Sequence, residues 1–111
     1  MTKLENKIDF AIIFRVKNAN PNGDPLNGNR PRTGYDGLGE VTDVCLKRKL
    51  RDRLQEARHK IFVQSDERSD DGHKSLANRA KAVLGANLGG ADTAKLSCKE
   101  WFDVRAFGQL F

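Results

Sequence analysis

Between Asn18 and Arg32 the chain reads Asn-Ala-Asn-Pro-Asn-Gly-Asp-Pro-Leu-Asn-Gly-Asn-Arg-Pro-Arg. This stretch holds all three prolines of the protein, two of its ten glycines and five asparagines. No helix or central strand passes through such a sequence. Proline removes a backbone donor and fixes φ, while Asn and Gly accept left-handed backbone. The dipeptides Asn-Pro, Asn-Gly and Asp-Pro are turn signals, so a structured loop is expected rather than a floppy one. Residues 33–40 add three more glycines and extend the loop to 18–41. Connections beyond about 12–15 residues are usually functional or disordered. Clustered backbone N–H groups and side-chain amides suit phosphate or sugar oxygens. A variable surface loop is the plainer alternative.

Ahead of the loop, Ile8, Phe10, Ile12, Phe14 and Val16 alternate with Asp9, Ala11, Ile13, Arg15 and Lys17. Period two over this length predicts a half-buried strand. Its even face is expected to pack on helices and its odd face to stay open.

After the loop, Thr42 reads as a helix N-cap, with Asp43 in the favourable first turn. Leu46, Leu50, Leu54 and Ala57 form one stripe, the expected core face. Lys47, Arg48 and Arg51 lie to one side of it; Lys49 and Arg53 lie to the other, mixed with Asp52 and Glu56. Five cations in seven residues, close after Arg30 and Arg32, suggest a surface that tracks phosphates. The chain as a whole has net charge +5 and a pI near 9.5, which favours an anionic partner such as nucleic acid. A merely solvated basic helix remains the alternative.

Ile61-Phe62-Val63-Gln64 predicts a short buried strand, and Ser65–His73 a polar turn. Leu76, Ala80, Val83 and Leu84 recur at helical spacing, with Ser75 as cap and Gly85 as terminator. Residues 85–94 read as a weakly ordered loop. Ser97 is expected to cap a last helix through Trp101, Phe102, Val104 and Phe107, ended by Gly108. A strand–loop–helix–strand–helix–helix order fits an α+β, ferredoxin-like fold. That fold needs four strands and only two are clear. With the apolar end Leu110-Phe111, this leads us to expect a fragment of a longer protein.

Other chemistries find little support. No apolar run reaches the ~20 residues of a membrane span, and the N-terminus lacks an apolar signal core, so a cytoplasmic protein is expected. Cys45 and Cys98 make no disulfide framework. Cys45, His59, His73 and Cys98, spaced 14, 14 and 25 apart, match no zinc module, so neither metal nor cofactor is expected. A cysteine nucleophile would need His59 or His73 beside it. Asp66, Asp70 and Asp71 lack calcium-loop spacing. Asp24, in the restricted loop, is a candidate acid or metal ligand for phosphodiester cleavage, but an Asx-turn before Pro25 is the preferred reading. Tyr35 has the chemistry to stack on a base. No phosphate-binding Gly-x-x-x-x-Gly-Lys-Ser/Thr loop is present.

Four motifs together resemble one family. They are Asn20-Pro21-Asn22-Gly23-Asp24-Pro25; Asn29-Arg30-Pro31-Arg32; Thr42-Asp43-Val44-Cys45-Leu46-Lys47-Arg48-Lys49; and Trp101-Phe102-Asp103-Val104-Arg105-Ala106-Phe107-Gly108. The chain resembles the N-terminal part of the CRISPR-associated backbone subunit of type I-C Cascade, in the Cas-seven superfamily (Csd-two family). The resemblance implies part of a single modified RNA-recognition-motif domain spanning residues 1–111. It implies a non-catalytic subunit, several copies of which polymerise along a CRISPR RNA beside other Cascade subunits and leave its bases free to pair with target DNA. Guide pairing would supply specificity and the protein charge and shape. RNA contacts would fall to Asn20, Asn22, Arg30, Arg32, Lys47, Arg48 and Arg51. Phe107-Gly108 resembles a family signature near the RNA path, with a helix C-cap as the alternative. The superfamily also includes subunits that cut target RNA with a loop aspartate; Asp24 would be that residue.

Overall fold

A computed structural model describes residues 3–111. It separates into two units, residues 1–41 and 42–111.

The first unit contains a miniature sheet. Strands β1 (Gly23–Asp24) and β2 (Arg30–Pro31) pair antiparallel, with Gly23 opposite Pro31 and Asp24 opposite Arg30. A single 3₁₀ turn, Pro25–Asn27, joins them. The Asp24 carboxylate starts this turn by accepting the Leu26 N–H at 3.1 Å. Gly28 and Asn29 then reverse the chain with φ of 61° and 57°, conformations that Gly and Asn tolerate best. A Cβ at Gly23 would sit 2.0 Å from Asn29 Oδ1, so glycine here lets the Asn29 side chain lie across the strand. A second reversal follows, closed by a bridge between Thr33 and Gly39, and here Asp36 accepts the Leu38 N–H at 3.0 Å. The expected structured loop is therefore two successive tight hairpins.

The strand expected over residues 8–17 does not form. The segment pairs with no described residue, and all ten of its residues are exposed. Alternation supplies a face to bury but no ladder. A strand exists only where another backbone accepts its hydrogen bonds.

The second unit is helical: α1 (Asp43–Glu56), α2 (Leu76–Leu84), α3 (Thr93–Glu100) and α4 (Phe102–Phe107). Thr42 caps α1 by accepting the Cys45 N–H at 3.2 Å, and Ser75 caps α2 through Asn78, both as the sequence predicts. The core is Phe62, Ala80, Leu84, Trp101 and Val104. Phe62 and Trp101 meet with ring centroids 4.7 Å apart. Each such side chain contributes about 1.5–3 kcal/mol through burial.

Three expectations for this unit are corrected. Ser97 is not a cap: it lies inside α3, buried, with its hydroxyl donating to the Ala94 carbonyl. The last helix is instead broken at Trp101, whose φ of −114° and ψ of 126° are extended; this turns the indole onto Phe62, while the Phe102 N–H donates to the Lys60 carbonyl. Residues 85–94 are more ordered than expected, with a 3₁₀ turn at Gly85–Asn87 and the start of α3 at Thr93. Residues 61–64 are buried at Ile61 and Phe62 but form no strand. Mixed helix with a two-stranded sheet makes the described chain α+β.

Candidate nucleic-acid interface

Helix α1 carries most of the expected cations, and its orientation inverts the expectation. Leu46 and Leu50, read as the core face, are 45% and 42% exposed, and no residue of α1 is buried. The opposite, basic face docks instead. Arg51 Nε donates to Asp103 Oδ2 at 3.0 Å, in a pair whose side chains are 14% and 1% exposed. Arg48 Nη1 donates to the Val63 carbonyl at 2.7 Å, and its Nε to Asp52 at 2.8 Å. Gln55 donates to the Arg68 carbonyl and to Asp70.

The cause is Asp103. Its carboxylate is buried at the start of α4, where it accepts the Phe62 N–H at 2.7 Å and the Val63 N–H at 3.1 Å. It does for these two amides what a neighbouring strand would have done. A buried carboxylate needs a cation, and Arg51 is the one that reaches it. The Phe62 carbonyl is satisfied in turn by Arg79, a guanidinium only 3% exposed. Arg79 grips Asp71 with two nitrogens. This contact holds the Asp71 carboxyl down at about 2 and raises Arg79 further above its ordinary range.

Lys47 and Arg51 also share an aromatic neighbour. Lys47 Nζ lies 5.6 Å and the Arg51 guanidinium carbon 5.1 Å from the Phe107 ring centroid, within cation–π range. Lys47 further pairs with Asp43 at 2.9 Å, one turn back, a contact that lowers the Asp43 pKa. Gly108 ends α4 at φ 78°, its N–H donating to the Val104 carbonyl, so Phe107-Gly108 is a helix terminus that also seats two cations.

The hairpin unit holds the other expected contacts. Asn20 donates to the Asn29 carbonyl at 2.9 Å and Asn22 to the Gly23 carbonyl at 3.1 Å; both amides brace the turn. Arg32 pairs with Glu40 at 3.4 Å. Arg30 is exposed and has no ion-pair partner among the described residues. The structure thus groups Asn20, Asn22, Arg30 and Arg32 on one hairpin unit and Lys47, Arg48 and Arg51 on one helix face. The two guanidiniums of that face point into their own unit rather than outward.

Sequence reasoning passed over Asp103 and Arg79 as individual residues. Each had a signal: a lone carboxylate inside the apolar run Trp101–Val104, and a lone cation beside Ala80 on the packed face of α2. Among the described residues no group of three or more His, Cys, Asp or Glu is arranged to hold a metal ion, and no helix is long and apolar enough to cross a membrane.

Sequence comparison gives this arrangement a context. Residues 6–111 match the family model described as CRISPR-associated protein Cas7. A "CRISPR-associated protein Cas7" of Haloferax volcanii is 38% identical over 97% of this chain. The chain belongs to the Cas7 family. It spans 33% of the length of that relative.

Proposed function

We propose that the chain is the N-terminal portion of a non-catalytic, CRISPR RNA-binding backbone subunit of a type I-C Cascade. In this reading it contributes part of a modified RNA-recognition-motif fold. Copies polymerise along the guide in the cytoplasm, beside other Cascade subunits, and present it to target DNA in antiviral defence. Family membership supports the reading, and the observation that carries it is Arg30: an exposed cation, unneutralised among the described residues, on a hairpin braced by Asn20 and Asn22. A rigid mount of that kind suits backbone phosphate, which is held without regard to base. Arg32 and Lys47 are further contacts, each shared with a carboxylate that phosphate would displace. Arg48 and Arg51 act from behind, fixing the helix that carries Lys47.

Arg30→Ala is expected to weaken RNA binding about equally for every guide sequence and to lower the salt slope by ~1. An effect that varied with guide sequence would defeat the reading. Catalysis by Asp24 is opposed by its engagement in the Leu26 turn. Magnesium-dependent RNA cleavage that vanished in Asp24→Ala would restore it.

A further inference from the structure

The chain contains two Asn-Gly pairs, Asn22-Gly23 and Asn27-Gly28, and both lie in the first hairpin. In such a pair the backbone nitrogen of the glycine can attack the side-chain carbonyl carbon of the asparagine, because glycine places no Cβ in the way. The structure treats the two pairs very differently. Asn22 is half-buried, its amide donates to the Gly23 carbonyl at 3.1 Å, and its own carbonyl accepts the Arg32 N–H at 2.9 Å. Rotating that peptide would break the pairing of the two strands. Asn27 stands at the tip, exposed, and its side chain has no hydrogen-bond partner among the described residues. Gly28 follows it at φ 61°. For the Asn27 side chain to meet the Gly28 nitrogen, the end of the 3₁₀ turn must rotate out of its helical shape. No residue of that turn is buried, and a segment held only by local, solvated hydrogen bonds opens readily.

We infer that Asn27 is a site of spontaneous deamidation, selected by the fold over Asn22, and that the carboxylate produced weakens the phosphate grip of Arg30. The Gly28 nitrogen, losing its proton, bonds to the Asn27 Cγ, and the Cγ–Nδ2 bond breaks to release ammonia. Water then opens the cyclic imide. Opening at Cγ gives aspartate; opening at the main-chain carbonyl gives isoaspartate, which adds one carbon to the backbone path. Either product is an anion at neutral pH. Arg30 lies three positions on, so the two Cα atoms are within about 11 Å of each other, close to the ~10 Å over which salt at ~0.1 M screens a charge. Isoaspartate also lengthens a turn closed by the Asn29 N–H donating to the Asp24 carbonyl at 2.8 Å, and so shifts Asn29, whose carbonyl accepts the Asn20 amide. The modification is independent of what the chain binds; its consequence rests on the proposed role of Arg30 as a phosphate contact.

The test holds the full chain warm at mildly alkaline pH, folded and in urea, and follows amide-to-acid exchange at each asparagine by tandem mass spectrometry. In the folded chain Asn27 is expected to convert at least fivefold faster than Asn22; in urea the two are expected to agree within twofold. Equal rates in the folded chain, or faster loss at Asn22, would overturn the inference. So would an Asn27 that converts in urea and stays intact when folded. Asn27→Gln, whose extra methylene forces a larger ring, is expected to lower total conversion in the hairpin at least threefold.

Binding of a short single-stranded RNA separates the consequence from the chemistry. Asn27→Asp is expected to bind about threefold more weakly than Asn27→Gln, and the gap to close at high salt. Equal affinities at low salt would overturn the effect on Arg30 while the modification stands. Wild-type chain that binds no RNA would overturn the RNA reading and with it the effect on Arg30; the contrast between Asn27 and Asn22 would still decide the modification.

Discussion

The two units obtain order by different means. In residues 3–41 no residue is buried, and shape comes from turn chemistry: Asx caps, left-handed Gly28 and Asn29, and two ladder pairs. In residues 42–111 lie all the buried residues of the described chain, and shape comes from a small apolar core stitched by buried charge. Local hydrogen bonds specify a conformation but add little stability in water. Buried ion pairs are unforgiving when one partner is removed. Mutations should therefore act on the two units very unequally. Tyr35, the single tyrosine, and Trp101, the single tryptophan, provide a separate fluorophore in each.

The largest effect is expected at Asp103. Asp103→Ala strands Arg51 and leaves the Phe62 and Val63 amides without an acceptor, so urea denaturation followed at Trp101 should show a loss of about 3–5 kcal/mol. A loss under 1 kcal/mol would mean that the carboxylate does not organise this unit. Acid should act next. Because the Asp71 carboxyl is held near 2 in the folded chain, against about 3.9 in an unfolded one, its contribution is complete above pH ~4 and disappears as pH falls toward 2. The Trp101 melting temperature should drop through that window, and Asp71→Asn should flatten the drop. Thr42→Ala should cost about 1 kcal/mol by uncapping α1. A smaller change, and a gain, is expected at the end of α1. Arg58 sits at φ 68° just beyond α1, where its N–H and that of His59 close the helix onto Gln55 and Leu54. Glycine suits this position better, so Arg58→Gly should stabilise by roughly 0.5 kcal/mol in the same titration. In the hairpin unit, Leu26→Ala should leave the Trp101 transition unmoved to within about 0.5 kcal/mol; a larger shift would contradict the division.

Local signals were the legible ones. Thr42, Ser75 and Gly85 mark helix ends because capping is decided by residues within one turn. The prolines and Asp24 announce their turns for the same reason. Long-range choices were not legible. The leucine stripe of α1 was expected as a core face and residues 8–17 as a half-buried strand, yet neither is buried within the described chain and the strand does not form. Periodicity says which face is apolar and is silent on what will cover it. The inward turn of Arg51 was hidden because it depends on a carboxylate some fifty positions away in sequence, and that of Arg48 because it ends on a backbone carbonyl, at Val63. The basic run of the helix is thus partly an internal fastening, and the RNA contacts proposed above are to be tested first at Lys47 and at Arg30 on the hairpin.

The bond from Asp103 to the Phe62 amide, which spans 41 positions, also orders events on the ribosome. At roughly 5–20 residues per second, some two to eight seconds separate the synthesis of its two ends. During that interval the Ile61–Val63 segment has been made and its acceptor has not. The hairpin unit, whose backbone bonds reach at most ten positions, has no such wait. The nascent protein would therefore expose a greasy stretch in need of shielding while the hairpins of residues 20–40 are already shaped.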